Sequence, residues 1–497
     1  MRISAAEAAK AVGGRIILGS GDIVLENIST DSNHMKGKDL FVPIKGARVD
    51  AHKFMLGAAK NGAVAAFSAM ELSELAKLHG MSEEELKAAL NEAGFTIIKL
   101  DNAADGLQAL QELGAYYRKN YVHIPYVGVT GSVGKTTTRE MTACALSASY
   151  KVYSTKGNAN SQTGTPITVT ETDEDAEIGV IEMGMSEFGE MSRLSKVVQC
   201  DTAVFTVIGV SHIGNLGSRE NIMREKLHIL DCISEGGTLI LNGDDDMLSR
   251  PDIHDFFPEG TDDKHIRILY YGTGDNADIR ACDISEEDGF YSYTLNIDGK
   301  AVTKVSLSVP GEHMLLNSLA ALSVAFVHGT DIIKASANVG GFKSLDGRGR
   351  VYKSGDITII NDAYNAAPQS VKAGLKVLNG MSAVSERRIA VLADMLELGP
   401  DEVSFHREVG EFIAAETPDI DIVMLYGELS RNTAEGIKLG FCENPSRHMP
   451  WVYCFDSLEE LEKALKEEIY PGDAVLFKGS NSMKLGSLVS RLYPEDA

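Results

Sequence analysis

The sequence lacks the segments that direct a protein into or across a membrane. No apolar run approaches the ~20 residues of a transmembrane helix. The N-terminal segment carries Glu7 where a signal peptide would be apolar. There is also no internal repeat and no low-complexity linker. We therefore expect a cytoplasmic protein without membrane insertion.

The sequence is also short of positive charge. Lys and Arg number 47 against 71 Asp and Glu, which gives a formal net charge of −24. Surfaces that bind nucleic acid are basic, so this balance argues against a nucleic-acid partner. It does not argue against a nucleotide, because local loops and metal ions bind phosphate whatever the charge of the whole chain.

Paired cysteines are absent as well. None of the six cysteines belongs to a C-x-x-C pair, and four of them lie in or beside apolar runs. This pattern predicts reduced, mostly buried thiols. The six are Cys144, Cys200, Cys232, Cys282, Cys442 and Cys454.

The chain is long enough for several domains, because 497 residues are more than a single hydrophobic core usually organises. We predict an α/β protein with three domains. They are a small mixed α/β N-terminal domain, a central P-loop ATPase-like domain with a mostly parallel sheet covered by helices, and a C-terminal Rossmann-like α/β domain. The expected boundaries are 1–100, 101–345 and 346–497, with an inserted helical hairpin at about 70–94 that has a charged, solvated face.

Short apolar runs that alternate with helical stretches support this division. In the central block, strands are expected at 151–154, 178–183, 203–208, 238–241 and 266–271, followed by an antiparallel meander over 279–309. In the last block, strands are expected at 357–360, 389–392, 422–425 and 474–477.

The central block opens with V-G-V-T-G-S-V-G-K-T-T-T at 127–138. An apolar run before it predicts a buried strand, and the segment after it predicts a helix. Strand, glycine loop and helix together are the setting of a phosphate-binding loop, because the glycines let N–H groups face an anion at the positive end of the helix. Lys135 would reach the outer phosphates, and the Thr136 hydroxyl would bind a magnesium ion. The alternative is an ordinary glycine turn before a helix.

Two polar side chains follow apolar strands at the edge where such sheets bind ligands. Glu182 ends the strand at 178–181, and His212 lies in a glycine-rich loop after the strand at 203–208. Taken alone, Glu182 fits a solvated strand end almost as well, and a lone histidine is more often structural. Lys226, on the following helix, fits an ordinary surface lysine when it is taken alone.

Two further loops are rich in polar residues. G-N-A-N-S-Q-T-G-T-P at 157–166 has the composition to approach a phosphate or an amide closely. N-D-A-Y-N-A-A-P at 361–368 follows a buried strand and opens a helix, which places Asp362 at a ligand-facing edge. A turn and a helix cap are the alternatives for these loops.

With these motifs in this order, the chain resembles the ATP-dependent Mur ligases of peptidoglycan synthesis. The resemblance runs from about residue 25 to the C-terminus, apart from the segment at 70–94. It also includes L-N-G-D-D, G-E-H-M-L-L-N-S-L-A-A, L-A-D-M-L-E-L-G and K-G-S-N-S-M. D-A-Y-N-A-A-P followed by L-A-D-M-L-E-L-G is most specific to the branch that joins D-alanyl-D-alanine to UDP-N-acetylmuramoyl-tripeptide.

The resemblance implies an ADP-forming amide ligase that uses ATP and Mg²⁺, and we expect it to act as a monomer. It implies phosphate binding by Gly131, Ser132, Val133, Gly134, Lys135, Thr136 and Thr137. It implies an adenine contact for Asn317 and a nucleotide site completed by Arg348 and Asp362 from the third domain. Lys135, Lys226, His212 and Arg348 would be catalytic.

The resemblance also implies where metals and substrate bind. Thr136 and Glu182 would bind one magnesium ion, His212 a second, and Lys226 would stand near both as a carbamate. Contacts to the UDP-substrate are expected from Thr30, Asp31, Ser32, Lys45, Gly46, Asn160 and Ser161. Five residues depart from the family pattern: Asn33, Ala51, Ser161, Asn361 and Ala393.

Three rival functions stay open. A related amide ligase, such as one that polyglutamylates folate, is disfavoured by D-A-Y-N-A-A-P. An ATP-driven switch would hydrolyse ATP without an amine acceptor. A catalytically impaired relative that only binds its ligands is disfavoured by the presence of Lys135, Glu182, His212 and Lys226.

Overall fold

A computed structural model of the chain describes residues 1–46, 49–101, 105–381, 385–443 and 449–496. It shows an α/β protein with three large sheets of five, nine and six strands and one two-stranded sheet. The predicted three-domain α/β fold class is confirmed. Across the described ranges, no helix combines the length and the apolar character needed to cross a membrane.

The N-terminal part contains the two-stranded sheet and the five-stranded sheet. Its strands are β1 (Ile3–Ser4), β2 (Arg15–Leu18), β3 (Val24–Leu25), β4 (Asn27–Ser29), β5 (Asp39–Phe41), β6 (Ala63–Ser68) and β7 (Thr96–Lys99). Its helices are α1 (Ala5–Ala11), α2 (Met55–Lys60), α3 (Leu72–Leu78), α4 (Glu83–Glu92) and α5 (Gly106–Tyr121). The strand order of the larger sheet is β2-β7-β6-β5-β4.

The predicted helical hairpin at 70–94 is confirmed as α3 and α4, and it has a structural role. It forms the connection between β6 and β7, which pair in parallel. Parallel neighbours need such a crossover because a short turn cannot bring the chain back to the same end of the sheet. One face of the hairpin is solvated, as expected, while Leu75, Leu86 and Leu90 are buried on the other.

Helix α5 packs against both the N-terminal and the central part of the molecule. Leu110 and Leu113 belong to the N-terminal hydrophobic core. On another face, Gly114 lies so close to Pro166 that a Cβ atom there would stand 2.9 Å from the proline Cβ. The buried Arg118 guanidinium donates to the carbonyls of Val122 and Val198 and ties the end of the helix to the central part.

The central part is built on the nine-stranded sheet. Its strands are β8 (Tyr126–Thr130), β9 (Val152–Ser154), β10 (Ile178–Glu182), β11 (Thr202–Phe205), β12 (Thr238–Asn242), β13 (Arg267–Gly272), β14 (Ile279–Glu287), β15 (Phe290–Ile297) and β16 (Lys300–Ser306). Its helices are α6 (Lys135–Leu146), α7 (Gly164–Thr170), α8 (Glu190–Val198), α9 (Ile213–Leu216), α10 (Arg219–Leu227), α11 (Glu312–Val327) and α12 (Ile332–Gly340).

The strand order of this sheet is β16-β15-β14-β13-β12-β11-β8-β10-β9. The strands from β9 to β14 pair in parallel, and β14, β15 and β16 form the predicted antiparallel meander. Successive residues of β8 enter hydrophobic clusters on opposite faces, Val127 and Val129 on one and Tyr126 on the other. Because both faces are covered, the strand reads as a continuous apolar run rather than an alternating one.

The C-terminal part is built on the six-stranded sheet, ordered β17-β18-β22-β19-β20-β21. Its strands are β17 (Arg350–Ser354), β18 (Ile357–Asp362), β19 (Arg388–Ala393), β20 (Ile422–Tyr426), β21 (Trp451–Phe455) and β22 (Ala474–Lys478). Its helices are α13 (Pro368–Asn379), α14 (Glu402–Glu416), α15 (Arg431–Glu443), α16 (Leu458–Glu468) and α17 (Leu485–Leu492).

The four strands expected in this block are present, and the two edge strands β17 and β21 were not anticipated. Both edge strands are largely solvent-accessible, so neither shows the buried apolar run that marks the inner strands. Trp451, the single tryptophan of the chain, stands at the start of β21 and is 68% exposed.

The six cysteines are all free, as predicted, but the expectation that most are buried is wrong. Only Cys200 is buried; Cys442 and Cys454 are exposed, and the other three are partly exposed. An apolar run in the sequence does not bury every member, because Cys454 lies on the exposed edge strand β21.

Candidate active site

A cavity of about 820 Å³ lies between the central and the C-terminal sheets. Residues that follow β8, β10 and β11 line it from one side, and residues that follow β18 line it from the other. Most of the predicted site residues meet here: Ser132, Val133, Gly134, Lys135, Thr136, Thr137, Asn160, Ser161, Glu182, His212, Asn317, Arg348 and Asp362. The cavity therefore joins residues from two of the expected domains.

The loop from Gly131 to Lys135 has the geometry of an anion-binding turn. Gly131 has φ +144°, and a Cβ atom there would stand 1.9 Å from Thr206 Oγ1, so only glycine fits. Gly134 has φ +86° and immediately precedes α6. Lys135 donates to the Gly131 carbonyl at 2.9 Å. The buried Ser132 hydroxyl has no hydrogen-bond partner among the described residues, as expected of a group that awaits a ligand oxygen.

The Glu182 side chain is the centre of a buried polar network. Thr136 Oγ1 donates to Glu182 Oε2 at 2.9 Å, and Asn160 Nδ2 donates to Oε1 at 2.6 Å. Arg139 Nη1 lies 3.4 Å from Oε2. A carboxylate held on three sides keeps one orientation. Asn160, which we expected to contact the UDP-substrate, therefore holds Glu182 in place here.

Arg139 is a site residue that the sequence did not identify. It is fully buried, donates to the Gly157 carbonyl at 3.0 Å, and forms an ion pair with Glu140 besides its contact with Glu182. It thus links the loop at 157–166 to the end of β10. The available signal was its helical spacing, since Arg139 shares a face of α6 with buried Thr142 and Leu146.

Two predicted catalytic residues lie near enough to Lys135 to feel its charge, but only His212 lines the cavity and Lys226 does not. Burial, with the positive charges of Lys135 and Lys226 adding to it, lowers the pKa of His212 to about 4. Lys226 is only 1% exposed, and burial lowers its pKa well below the ordinary value, helped by the charge of Lys135. The interpretation of Lys226 as an ordinary surface lysine is therefore wrong.

The donor set at Glu182 suits magnesium more than it suits a transition metal. The structure offers a threonine hydroxyl and a carboxylate, and Mg²⁺ prefers oxygen ligands. Throughout the described residues there is no group of three or more His, Cys, Asp and Glu side chains that could hold a metal. Mg²⁺ keeps several waters and shares substrate phosphates, so one or two protein ligands suffice. The residues thus fit the ion that the sequence implied.

The C-terminal part contributes two charged groups from neighbouring loops. The Arg348 guanidinium lies over the Tyr364 ring at 3.7 Å from its centroid. Burial lowers the pKa of Arg348, and the negative charge of Glu182, across the cavity, opposes that shift. Asp362 forms an ion pair with Lys478, which also donates to the Asn365 carbonyl at 3.2 Å. Lys478 ends β22 beside Asp362, so the strand-end rule that identified Asp362 also applies to it.

Asn317 lies under the phosphate-binding loop in α11. Its Oδ1 accepts a hydrogen bond from Thr138 at 3.1 Å and stands 3.1 Å from the position that a Cβ atom on Gly134 would take. An alanine at 134 would press on this side chain in addition to adopting an unfavourable φ. The contact with adenine stays a prediction.

The expected UDP-substrate residues Thr30, Asp31, Ser32, Lys45 and Gly46 do not line the cavity. They lie in two loops of the N-terminal part. Asp31 accepts from the Asn33 N–H at 2.9 Å and from the His34 ring at 2.7 Å, and Gly46 donates to the Val49 carbonyl at 2.9 Å. Their contact with the UDP-substrate stays a prediction.

The departure at Asn361 from the family pattern has a local explanation. Asn361 is buried and donates its amide N–H to Asp346 Oδ1 at 2.8 Å. An aspartate at this position would place two carboxylates at hydrogen-bond distance, where they repel unless one is protonated. The amide instead ties β18 to the loop that carries Arg348.

The phosphate-binding loop, the buried carboxylate and the arginine from another domain define a multidomain nucleotide-binding protein with a P-loop. Three family profiles match the chain in order. They are "Mur ligase family, catalytic domain" at residues 24–115, "Mur ligase middle domain" at 129–325, and "Mur ligase, glutamate ligase domain" at 347–481. The chain belongs to the Mur ligase family.

Individual relatives agree over almost the full length. The chain is 33% identical over 471 residues to the UDP-N-acetylmuramoyl-tripeptide–D-alanyl-D-alanine ligase of Bacillus subtilis (strain 168), covering 94% of this chain and 93% of the relative. A crystal structure of MurF from Acinetobacter baumannii matches with TM-score 0.82 and 25% identity, over 100% of this chain and 99% of that one. MurF ligase from Thermotoga maritima in complex with ADP matches with TM-score 0.73 and 25% identity, over 94% and 97%.

Proposed function

We propose that the protein adds D-alanyl-D-alanine to UDP-N-acetylmuramoyl-tripeptide in the synthesis of peptidoglycan precursors, as an ATP-dependent, ADP-forming ligase. The observation that carries this proposal is the convergence of Lys135, Glu182, Arg348 and Asp362 on one cavity between two domains. Relatives over almost the whole chain bear the name of this activity.

In this reaction a carboxylate oxygen of the tripeptide attacks the γ-phosphorus of ATP, and ADP leaves. The amine of D-alanyl-D-alanine then attacks the acyl phosphate, loses a proton, and displaces inorganic phosphate. The protein's contribution is chiefly positioning and charge neutralisation. The Lys135 ammonium and the Arg348 guanidinium offset the negative charge that builds up where carboxylate and phosphate oxygens meet.

Thr136 and Glu182 would hold one magnesium ion and His212 a second. When bound, the ions supply charge stabilisation and orient phosphate oxygens. The chain's own contribution is the fixed orientation of these ligands. Arg139 and Asn160 hold the Glu182 carboxylate, and burial keeps the His212 imidazole neutral, so a ring nitrogen has a free lone pair.

Lys226 would carry a carbamate. A buried ammonium beside Lys135 and two metal ions is electrostatically unfavourable, and no carboxylate pairs with Lys226 in the described part of the chain. Its amine becomes nucleophilic once neutral and can bond to the carbon of CO₂, releasing a proton and leaving an anion. Incubation with ¹³CO₂ should give a carbamate ¹³C resonance in the wild-type protein that is absent from Lys226→Met. If no such resonance appears, Lys226 does not carry a carbamate.

The remaining assignments complete the proposal. The UDP end of the substrate would bind Thr30–Ser32 and Lys45–Gly46, the loop with Asn160 and Ser161 would face the rest of it, and Asn317 would contact adenine. We place the domain boundaries near residues 100 and 345. The enzyme would act as a monomer in the cytoplasm, with Arg348 and Asp362 completing the nucleotide site once the domains close.

The test is phosphate release from ATP with UDP-N-acetylmuramoyl-tripeptide and D-alanyl-D-alanine supplied separately and together, with the amide product measured by mass spectrometry. We expect rapid release and product only with both substrates and Mg²⁺. Release without an acceptor and without product would favour the ATP-driven switch. Product with folate and glutamate instead would favour the related amide ligase.

A further inference from the structure

The loop that carries His212 is held between two domains. We define the His212 loop as residues 206–218, between β11 and α10. It belongs to the central part of the chain, yet Val210 packs against the hydrophobic core of the C-terminal part. A loop whose apolar side chain enters the core of another domain takes its position from both domains.

Two glycines of the His212 loop allow the C-terminal part to approach closely. A Cβ atom on Gly209 would stand 1.9 Å from Gln369 Oε1. A Cβ atom on Gly214 would stand 2.9 Å from Gly399 Cα, and one on Gly399 would stand 2.6 Å from Gly214 Cα. Such separations are shorter than any real side-chain contact, so the backbones at Gly214 and Gly399 touch only because both residues are glycine.

Glu397 reaches His212 from the same side. Its Oε2 lies 3.4 Å from His212 Nδ1. Glu397 has φ +64°, a left-handed conformation that is unfavourable for a non-glycine residue and persists only where the surroundings hold it. The short turn at Gly399–Asp401 that follows carries the glycine contact. Glu397 is thus aimed at the histidine by a constrained backbone.

We propose that Glu397 is a positioning residue for His212, and that the Gly214–Gly399 contact brings it into place only when the C-terminal domain is docked on the central domain. A carboxylate that accepts the Nδ1 proton would fix the ring's tautomer and leave the lone pair on Nε2 free, the arrangement usual for histidines that bind metals. This inference rests on the proposed function. It adds that docking of the third domain sets the orientation of a residue in the second.

The first test removes the carboxylate. Glu397 is exposed, with 76% of its side chain accessible, so Glu397→Ala should fold normally. Binding of Mn²⁺ in the presence of ADP, followed by electron paramagnetic resonance, should weaken about 10- to 100-fold, and kcat should fall by a similar factor with little change in KM for ATP. The matched control is Glu416→Ala, an exposed glutamate of the same domain.

The second test blocks the glycine contact. Gly214→Ala should keep the domains apart, so the radius of gyration measured by X-ray scattering with saturating ADP should exceed that of the wild-type protein. Gly57→Ala is the control, since Gly57 also lies in a helix and has nothing within 4 Å of its Cβ position.

The outcomes separate this inference from the proposed function. If the wild-type protein makes product but Glu397→Ala binds Mn²⁺ and turns over like Glu416→Ala, the positioning role is wrong. If Gly214→Ala has the wild-type radius and activity, the docking contact is wrong. A wild-type protein that makes no product would contradict the proposed function instead, while the Mn²⁺ and scattering measurements would still decide the inference.

Discussion

Two regions of the molecule bury a lysine, and the two lysines differ in how their charge is compensated. Lys478 at the end of β22 is 2% exposed, and Lys226 on α10 is 1% exposed. Lys478 pairs with Asp362 on the adjacent strand and donates to a carbonyl. The side-chain ammonium of Lys226 has no ion pair or hydrogen bond to any residue in the described part of the chain.

The difference separates a structural charge from a reactive one. A buried ammonium with a carboxylate partner holds two strands together. A buried ammonium without one loses the solvation of its charge and receives nothing in return, so the neutral amine is favoured. Lys478 therefore stabilises the site, whereas a neutral Lys226 amine would be able to form the proposed carbamate.

The largest expected effect comes from replacing a third lysine, Lys135. Unlike Lys226 and Lys478, Lys135 is only partly buried, so its loss should affect catalysis and leave stability unchanged. Lys135→Ala should lower kcat by about 10²- to 10³-fold, the usual cost of removing a group that stabilises transition-state charge. Its thermal unfolding should match that of the wild-type protein. Steady-state ligation and calorimetry check both points, with exposed Lys304→Ala as the control. A variant that keeps more than about a tenth of the activity would contradict the role.

Lys226→Met should lose about 10- to 100-fold in kcat, as expected for a group that orients metals or substrate from behind. Its stability should be equal to or greater than wild type, because a buried polar amine without a hydrogen-bond partner is replaced by an apolar chain of similar length. Ligation assays and urea unfolding give the two quantities. If Lys226→Met lost much stability but kept full activity, Lys226 would have a structural role and no catalytic one.

Lys478→Met, in contrast to Lys226→Met, should lower the stability of the fold. It leaves the Asp362 carboxylate without its partner, so the free energy of unfolding should fall by about 2 kcal/mol. The double variant Lys478→Met/Asp362→Asn should recover part of that loss, since no charge is then left unpaired. Urea unfolding of the three variants measures the coupling. Strictly additive losses would mean that the ion pair contributes nothing of its own.

The smallest expected effect is in the pH dependence of stability. Because the pKa of Lys226 is lower in the folded state, the unfolded chain binds a proton there that the native protein does not, between the folded pKa and the unfolded value of about 10.4. Wild-type stability should therefore rise relative to Lys226→Met as the pH increases across this window, by at most about 1.4 kcal/mol per pH unit. A constant difference would show that Lys226 stays protonated.

The strand-end rule explains how much of the site was predictable. Glu182 and Asp362 each end a buried parallel strand, so their convergence follows from the sheet architecture alone. The same rule applies to Lys478 and was missed only because the expected strand stopped at residue 477. Edge strand β17 escaped because R-V-Y-K-S carries no apolar run. Edge strand β21, W-V-Y-C-F, does carry one, and it was overlooked.

The burial of Lys226 was not predictable from local sequence. Helix α10 carries three consecutive charged residues, Arg224, Glu225 and Lys226. Their order does not indicate which face of the helix is buried. In the structure Glu225 accepts the N–H groups of Gly189 and Met191, which fixes the helix so that Lys226 also points inward. Likewise, the approach of Glu397 to His212 joins loops of two domains, and the family resemblance carried no such pairing.

The position of Trp451 gives the molecule an optical probe of one domain. The single indole stands on edge strand β21, separated from the cavity-lining strand β18 by β22, β19 and β20. Because the indole is largely exposed, we expect the emission of a solvated tryptophan that follows the local order of the third domain, with no second tryptophan to obscure it. Denaturation curves followed by this fluorescence and by circular dichroism will coincide only if the third domain and the rest of the chain unfold as one cooperative unit.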